Sequence, residues 1–187
     1  MKFSSVCLFA VAAAAAAAVG EIRDAAAIAV RDFASINASL STVKDDIATL
    51  NAVGNAFDGD IRPPVAASDK LAASIDAAVA TARASTVLSL TDAFGLLPVL
   101  QGIRENTRAL ADTVKAKVSK MAQAGACAVA RTHLERLNAG AGTLIDEVRG
   151  KLPVAARGVA KIETDKIRAL IVEAVAAVAP ERCRDGS

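Results

Sequence analysis

Tryptophan and tyrosine are missing from the 187 residues, and five phenylalanines bring the aromatic share to only 3%. A β-sandwich or barrel draws on aromatic and β-branched side chains, so this composition argues against both. Histidine occurs once and cysteine three times. His133 and Cys127 do not stand at zinc-ligand spacing, and no metal site is expected. Neither charge sign is in excess: 22 Lys+Arg face 20 Asp+Glu, a net +2. A nucleic-acid partner, which needs a basic surface, is excluded on that ground. Beyond the N-terminus no apolar run approaches the ~20 residues of a membrane span. No strand pattern, low-complexity linker or second domain is visible.

What is present is alanine, about a quarter of the chain. It is the strongest helix former, and it makes the 53% hydrophobic fraction less oily than the figure suggests. The N-terminus carries Lys2, an apolar stretch to Val11, an alanine run over 12–18, then Val19 and Gly20. This is the layout of a secretory signal, with Ala18 and Gly20 at the small-residue positions if cleavage precedes Glu21. The expected organisation is a signal peptide over 1–20 and one domain over 21–187. Cys7 leaves with the signal. Cys127 and Cys183 then form an even pair in an oxidising compartment, and they are expected to be bonded.

The rest reads as an all-α antiparallel bundle of five helices. Over 21–57 the apolar residues Phe33, Ile36, Leu40, Val43, Ile47, Leu50, Val53 and Phe57 recur at steps of three and four, with Asp32, Lys44, Asp45 and Asp46 on the opposite face. Asp58-Gly59-Asp60 and Pro63-Pro64 close that helix. A second, alanine-rich helix is expected over 66–86. Ser89 reads as an N-cap with Asp92 three residues on, opening a third helix to about 124 whose inner stripe includes Leu90 and Phe94. Gly95 and Pro98 predict a kink or a late start there. A fourth helix spans 126–149. The fifth follows Pro153 and runs to Ala179; with Glu173 its only charge over 169–179, it is either central or exposes an apolar patch. The Gly-Lys-Leu-Pro turn makes the last two helices antiparallel, which returns Cys183 to Cys127.

Chemistry is sparse. Nucleophile elbows, phosphate loops and metal motifs are missing. His133 reads as a packed or surface residue, and no enzyme activity or cofactor is expected. Asn37-Ala38-Ser39 is the sole N-glycosylation sequon, making Asn37 the candidate glycosylation site.

Four stretches carry a family resemblance: Asp45-Asp46-Ile47-Ala48-Thr49-Leu50-Asn51-Ala52-Val53, Ser89-Leu90-Thr91-Asp92-Ala93, Leu110-Ala111-Asp112-Thr113-Val114-Lys115-Ala116-Lys117 and Lys151-Leu152-Pro153. Through them the chain resembles the fungal hydrophobic surface binding protein A family, the cell-wall galactomannoproteins, over about residues 30–179. It departs from the family in its two mature cysteines and in lacking a Ser/Thr-rich tail. The resemblance implies a secreted, extracellular or cell-wall protein that adsorbs to hydrophobic surfaces or holds a fatty acid or other lipid inside a helical bundle. It also implies association with cell-wall polysaccharide; a monomer is expected. The alternative is a structural cell-wall mannoprotein without a ligand. The expected lipid-lining positions are the larger side chains of the inner faces: Phe33, Leu40, Phe57, Ile75, Phe94, Leu110, Val114, Leu137, Ile167 and Leu170. Ala78 and Ala82 are expected to border the same space, so that phenylalanine there would block it.

Overall fold

The computed structural model describes residues 32–186. These form α1 over 32–55, α2 Arg62–Ala84, α3 Leu90–Gly95, α4 Leu97–Gln123, α5 Cys127–Gly150 and α6 Val154–Ala177, with no strand among them. The signal segment expected over 1–20 lies outside the described residues. No helix among the described residues is long and apolar enough to cross a membrane.

In α1 the three-and-four spacing puts Ile36, Leu40, Val43, Ile47 and Leu50 on one buried face. Asp46, expected on the solvated face, is buried instead, 4% exposed. Its carboxylate accepts a hydrogen bond from Ser74 on α2 and pairs with Lys70 at 2.9 Å. Burial pushes that carboxyl up, but the bonds from Ser74 and Lys70 and the Lys70 charge outweigh it and hold it below the usual carboxylate range. After α1 the chain turns through Gly59, whose φ of 131° suits glycine. The second helix starts at Arg62, earlier than expected, because Pro63 and Pro64 occupy the first turn, where a helix needs no N–H donor.

Ser89 caps α3 as its sequence suggests: the hydroxyl accepts from the Asp92 amide at 3.1 Å and donates to the Asp92 carboxylate at 2.7 Å. The helix breaks at Leu96, between Gly95 and Pro98, and α4 starts at Leu97. The buried stripe runs through the break at steps of three and four, Ala93, Leu96, Leu100, Ile103 and Thr107, so Leu90 and Phe94, expected inside, fall off it and are each 45% exposed. At the far end of α4, Gly125 takes φ 65° and closes a Schellman motif, its signature being Ala126 N–H to Met121 carbonyl at 2.8 Å.

Lys151-Leu152-Pro153 ties two connections together. Lys151 Nζ donates to the Ser85 and Arg83 carbonyls at the end of α2, at 2.6 and 3.0 Å. The Leu88 amide donates to the Lys151 carbonyl at 2.8 Å, Leu152 is buried, and Pro153 opens α6. At the opposite end Cys127 and Cys183 are joined in a disulfide, Cα–Cα 5.5 Å. Two residues on, the Asp185 carboxylate accepts from the Cys127 and Ala128 amides at 2.7 and 3.3 Å, so the C-terminal tail supplies the anion at the start of α5.

The interhelical polar contacts give the order of the helices. Asp46 joins α1 to α2, and Asn106 Nδ2 donating to the Lys44 carbonyl at 2.9 Å joins α1 to α4. Arg83–Glu147 and Arg136–Asp69 join α2 to α5, Arg168–Asp146 joins α5 to α6, and Arg104–Glu163 and Lys115–Glu173 join α6 to α4. The five long helices thus form a closed ring in the order α1, α2, α5, α6, α4, with α6 a ring member rather than a central helix. Its outer face leaves Val154, Val159, Ile162 and Val172 exposed. With helix axes 8–10 Å apart, a ring of five leaves its centre roughly 7–8 Å from each axis, wider than a ring of four. Large side chains are needed to fill that axis, and of the four residues α6 brings to it, Thr164, Ile167, Ile171 and Ala174, only the two isoleucines are large.

Candidate functional site

Two apolar cavities lie inside the ring. The first, about 80 Å³, is lined by all five long helices, among them Leu40 and Ile47 of α1, Ile75 of α2, Ile103 of α4, Leu144 of α5 and Ile167 of α6. The second, about 100 Å³, lies toward the disulfide end between α1, α2, α4 and α5. Phe57, Ile61, Val65, Val114, Met121, Val129 and Ala130 line it, with Ser68, Thr113, Lys117 and His133 as its polar members. Leu110, Leu134 and Leu137 line both cavities and form the septum between them.

Of the ten positions singled out in the sequence, the structure places Leu40, Ile75 and Ile167 on the axial cavity, Phe57 and Val114 on the second, and Leu110 and Leu137 on both. It brings three to neither. Phe33 lies at the α3 end, where its ring sits against Gly95; a Cβ added there would meet the ring at 3.0 Å. Phe94 faces outward because the buried stripe of α3 and α4 runs through Ala93 and Leu96. Leu170 is half-buried, because the inner face of α6 is held by Ile167, Ile171 and Ala174 instead. Ala78 and Ala82 are buried at 1% and 0% but line neither cavity, so they are packing positions and not walls of the space. Sequence reasoning missed Leu134, Ile47, Ile103 and Leu144, all on the same stripes as the residues it chose.

The polar members at the second cavity differ in how far they are satisfied. The Thr113 hydroxyl bonds to Asn51 at 2.7 Å. His133 Nδ1 lies 3.6 Å from the Asp69 carboxylate, which also pairs with Arg136 at 3.0 Å. Lys117 donates to the Phe57 carbonyl at 3.3 Å. No group of His, Cys, Asp or Glu able to hold a metal occurs among the described residues. Asn37 sits half-buried in α1, and the Ser39 hydroxyl of its sequon is bonded to the Ile36 carbonyl at 2.9 Å. The sequon therefore lies in a formed helix and not in the surface loop that glycosylation favours.

An apolar interior in two parts, with titratable side chains at one end only, suits an alkyl ligand better than a polar one. Residues 33–150 match the model of the family described as hydrophobic surface binding protein A. No curated protein matches the chain by sequence. Among solved structures, ligand binding domain 1 of the Penicillium marneffei MP1 protein, complexed with arachidonic acids, superposes with a TM-score of 0.76 at 19% identity, covering 79% of this chain and 99% of that one. Ligand binding domain 2 of the same protein, complexed with multiple arachidonic acids, gives 0.75 at 18%, covering 78% and 95%. Both share the fold. Afmp4p in complex with palmitic acid gives 0.74 at 27% identity, covering 79% and 99%.

Proposed function

This chain belongs to the hydrophobic surface binding protein A family, and from that premise we propose that it is a secreted, non-enzymatic protein that encloses a long acyl chain between its helices. The observation that carries the reading is the axial cavity, walled by apolar side chains from all five long helices and separated from a second cavity by three leucines. The palmitic acid named for the 27%-identical Afmp4p supports a fatty acid as the ligand class.

Size decides how the ligand enters. A dry cavity of roughly 150 Å³ takes a benzene-sized molecule. Neither space here, at about 100 and 80 Å³, holds a C16 chain by itself. The chain is accommodated when the Leu110–Leu134–Leu137 septum moves aside and the ring widens. Burying ten methylenes contributes about 8 kcal/mol at ~0.8 each, from which ordering and widening subtract. Micromolar affinity or better corresponds to about 8 kcal/mol net, so more than ten methylenes are buried.

Calorimetry on delipidated protein with C16–C20 acids tests this, together with lipid extraction of the protein as purified. Saturable binding at one or two acyl chains per protein is expected. No heat, no displacement of a fluorescent acyl probe and no co-purified lipid would leave only a structural wall role.

A further inference from the structure

The second cavity has an electrostatic asymmetry that the enclosure of an alkyl chain does not require. Lys117 lines it from α4, and among the described residues no carboxylate lies within ion-pair distance of its ammonium. Its one partner is the Phe57 carbonyl, itself part of the same wall, so the ammonium is held at the cavity's edge with N–H donors to spare. Two residues back along α4 the contrast is plain: Lys115 pairs with both Asp112 and Glu173, at 2.8 Å each. A second donor points the same way. Ser68 of α2 is 5% exposed and lines this cavity, yet its hydroxyl has no hydrogen-bond partner among the described residues. Its oxygen is not wholly sealed from solvent, and a ligand oxygen would supply the bond that water otherwise makes. His133, the other titratable side chain on this wall, already faces the Asp69 carboxylate. The axial cavity, by contrast, is polar only at Thr107 and Thr164, whose hydroxyls are bonded to the Ile103 and Ala160 carbonyls of their own helices.

We propose that Lys117, with Ser68, is the head-group site: it binds the carboxylate of the acyl ligand, and the alkyl chain runs from there past Leu110, Leu134 and Leu137 into the axial cavity. This rests on the acyl-binding reading above and adds to it an orientation and a preference for acids over neutral lipids. An ammonium with no counter-ion, placed on the wall of an apolar cavity, meets a carboxylate with a charge-assisted bond that an alcohol does not match.

The test compares palmitate with hexadecanol, which shares the chain and lacks the charge, on delipidated protein. Lys117→Met keeps the stem and removes the charge. It is expected to weaken palmitate by about tenfold, the size of one partly exposed charge-assisted bond, and hexadecanol by less than about twofold. Lys117→Arg is expected to retain palmitate, and Lys115→Met, on the ion-paired lysine, to change neither lipid. If wild type binds both lipids and Lys117→Met leaves palmitate unchanged, the carboxylate lies elsewhere and the proposal is overturned while acyl binding stands. If Lys117→Met weakens both lipids alike, its role is packing. If wild type binds neither lipid, the acyl-binding reading itself fails, and the head-group site with it.

Discussion

Leu137→Ala separates a septum from an ordinary core residue. Leu137 is 6% exposed and faces both cavities. Truncation removes three carbons, about 2.4 kcal/mol of transfer free energy at ~0.8 each. Leu→Ala changes in filled cores cost roughly 2.7–5.0 kcal/mol once the cavity is included. Because Leu137 already lacks neighbours on its cavity sides, it has fewer contacts to lose, and about 3 kcal/mol is expected. For a domain of this size that lowers Tm by roughly 6–12 °C. The same truncation joins the two spaces into one. Palmitate at a hundred times its Kd adds about 2.7 kcal/mol by mass action, so the liganded variant should melt close to unliganded wild type. Thermal unfolding with and without palmitate is the assay. The ligand-induced shift of Leu137→Ala should equal or exceed that of wild type, and Leu137→Phe, which fills the septum, should reduce it. Loss of the shift in Leu137→Ala, or an undiminished shift in Leu137→Phe, would refute the idea that these leucines partition one acyl tunnel.

Three further outcomes are expected. Replacing both Cys127 and Cys183 by Ser opens a link between residues 56 apart and should cost about 4 kcal/mol in the chain-entropy model; an unchanged urea midpoint would contradict it. The Asp46 carboxyl is held below its ordinary value, so its contribution is complete above the unfolded pKa of about 3.9 and is lost as pH falls through the lower folded value. Asp46→Asn should cost about 1.5 kcal/mol at pH 7 and flatten the acid limb of a stability–pH curve, whereas a parallel curve would show the charge to be idle. Ala82→Phe should destabilise by about 1–3 kcal/mol through overpacking, yet leave palmitate affinity unchanged in titration calorimetry, because Ala82 borders neither cavity.

What was legible in the sequence was local. The stripe from Ile36 to Leu50, the Ser89 cap and the kink at Gly95 and Pro98 each arise from residues within a turn or two of one another, and all are present. The cysteine pairing was legible because a short turn between two helices of similar length brings their far ends together. Which of two overlapping apolar stripes is buried was not legible. Leu90 and Phe94 fit one stripe by spacing, but the buried one runs through Ala93, Leu96 and Leu100. Nor does a polar residue's position show whether a partner reaches it from another helix: Asp46 looked solvated until Ser74 and Lys70 of α2 came into place. The Asp185 cap at α5 lies far away in the chain, and its only sequence signal is its nearness to Cys183. The cavities depend on the ring order, a sum of long-range contacts. The inner-face residues could therefore be named, while the septum and the unpaired Lys117 could not.

The central claim is that an acyl chain lies inside the ring, and intermolecular NOEs locate it most directly. Uniformly ¹³C-labelled palmitate bound to the delipidated, methyl-assigned protein should show contacts from its mid-chain carbons to methyl groups of Leu110, Leu134 and Leu137, and from its tail to Ile47 and Ile167 of the axial cavity. Contacts confined to the exposed methyls of Val154, Ile162 and Val172 on the outer face of α6 would place the lipid on the surface and contradict the account.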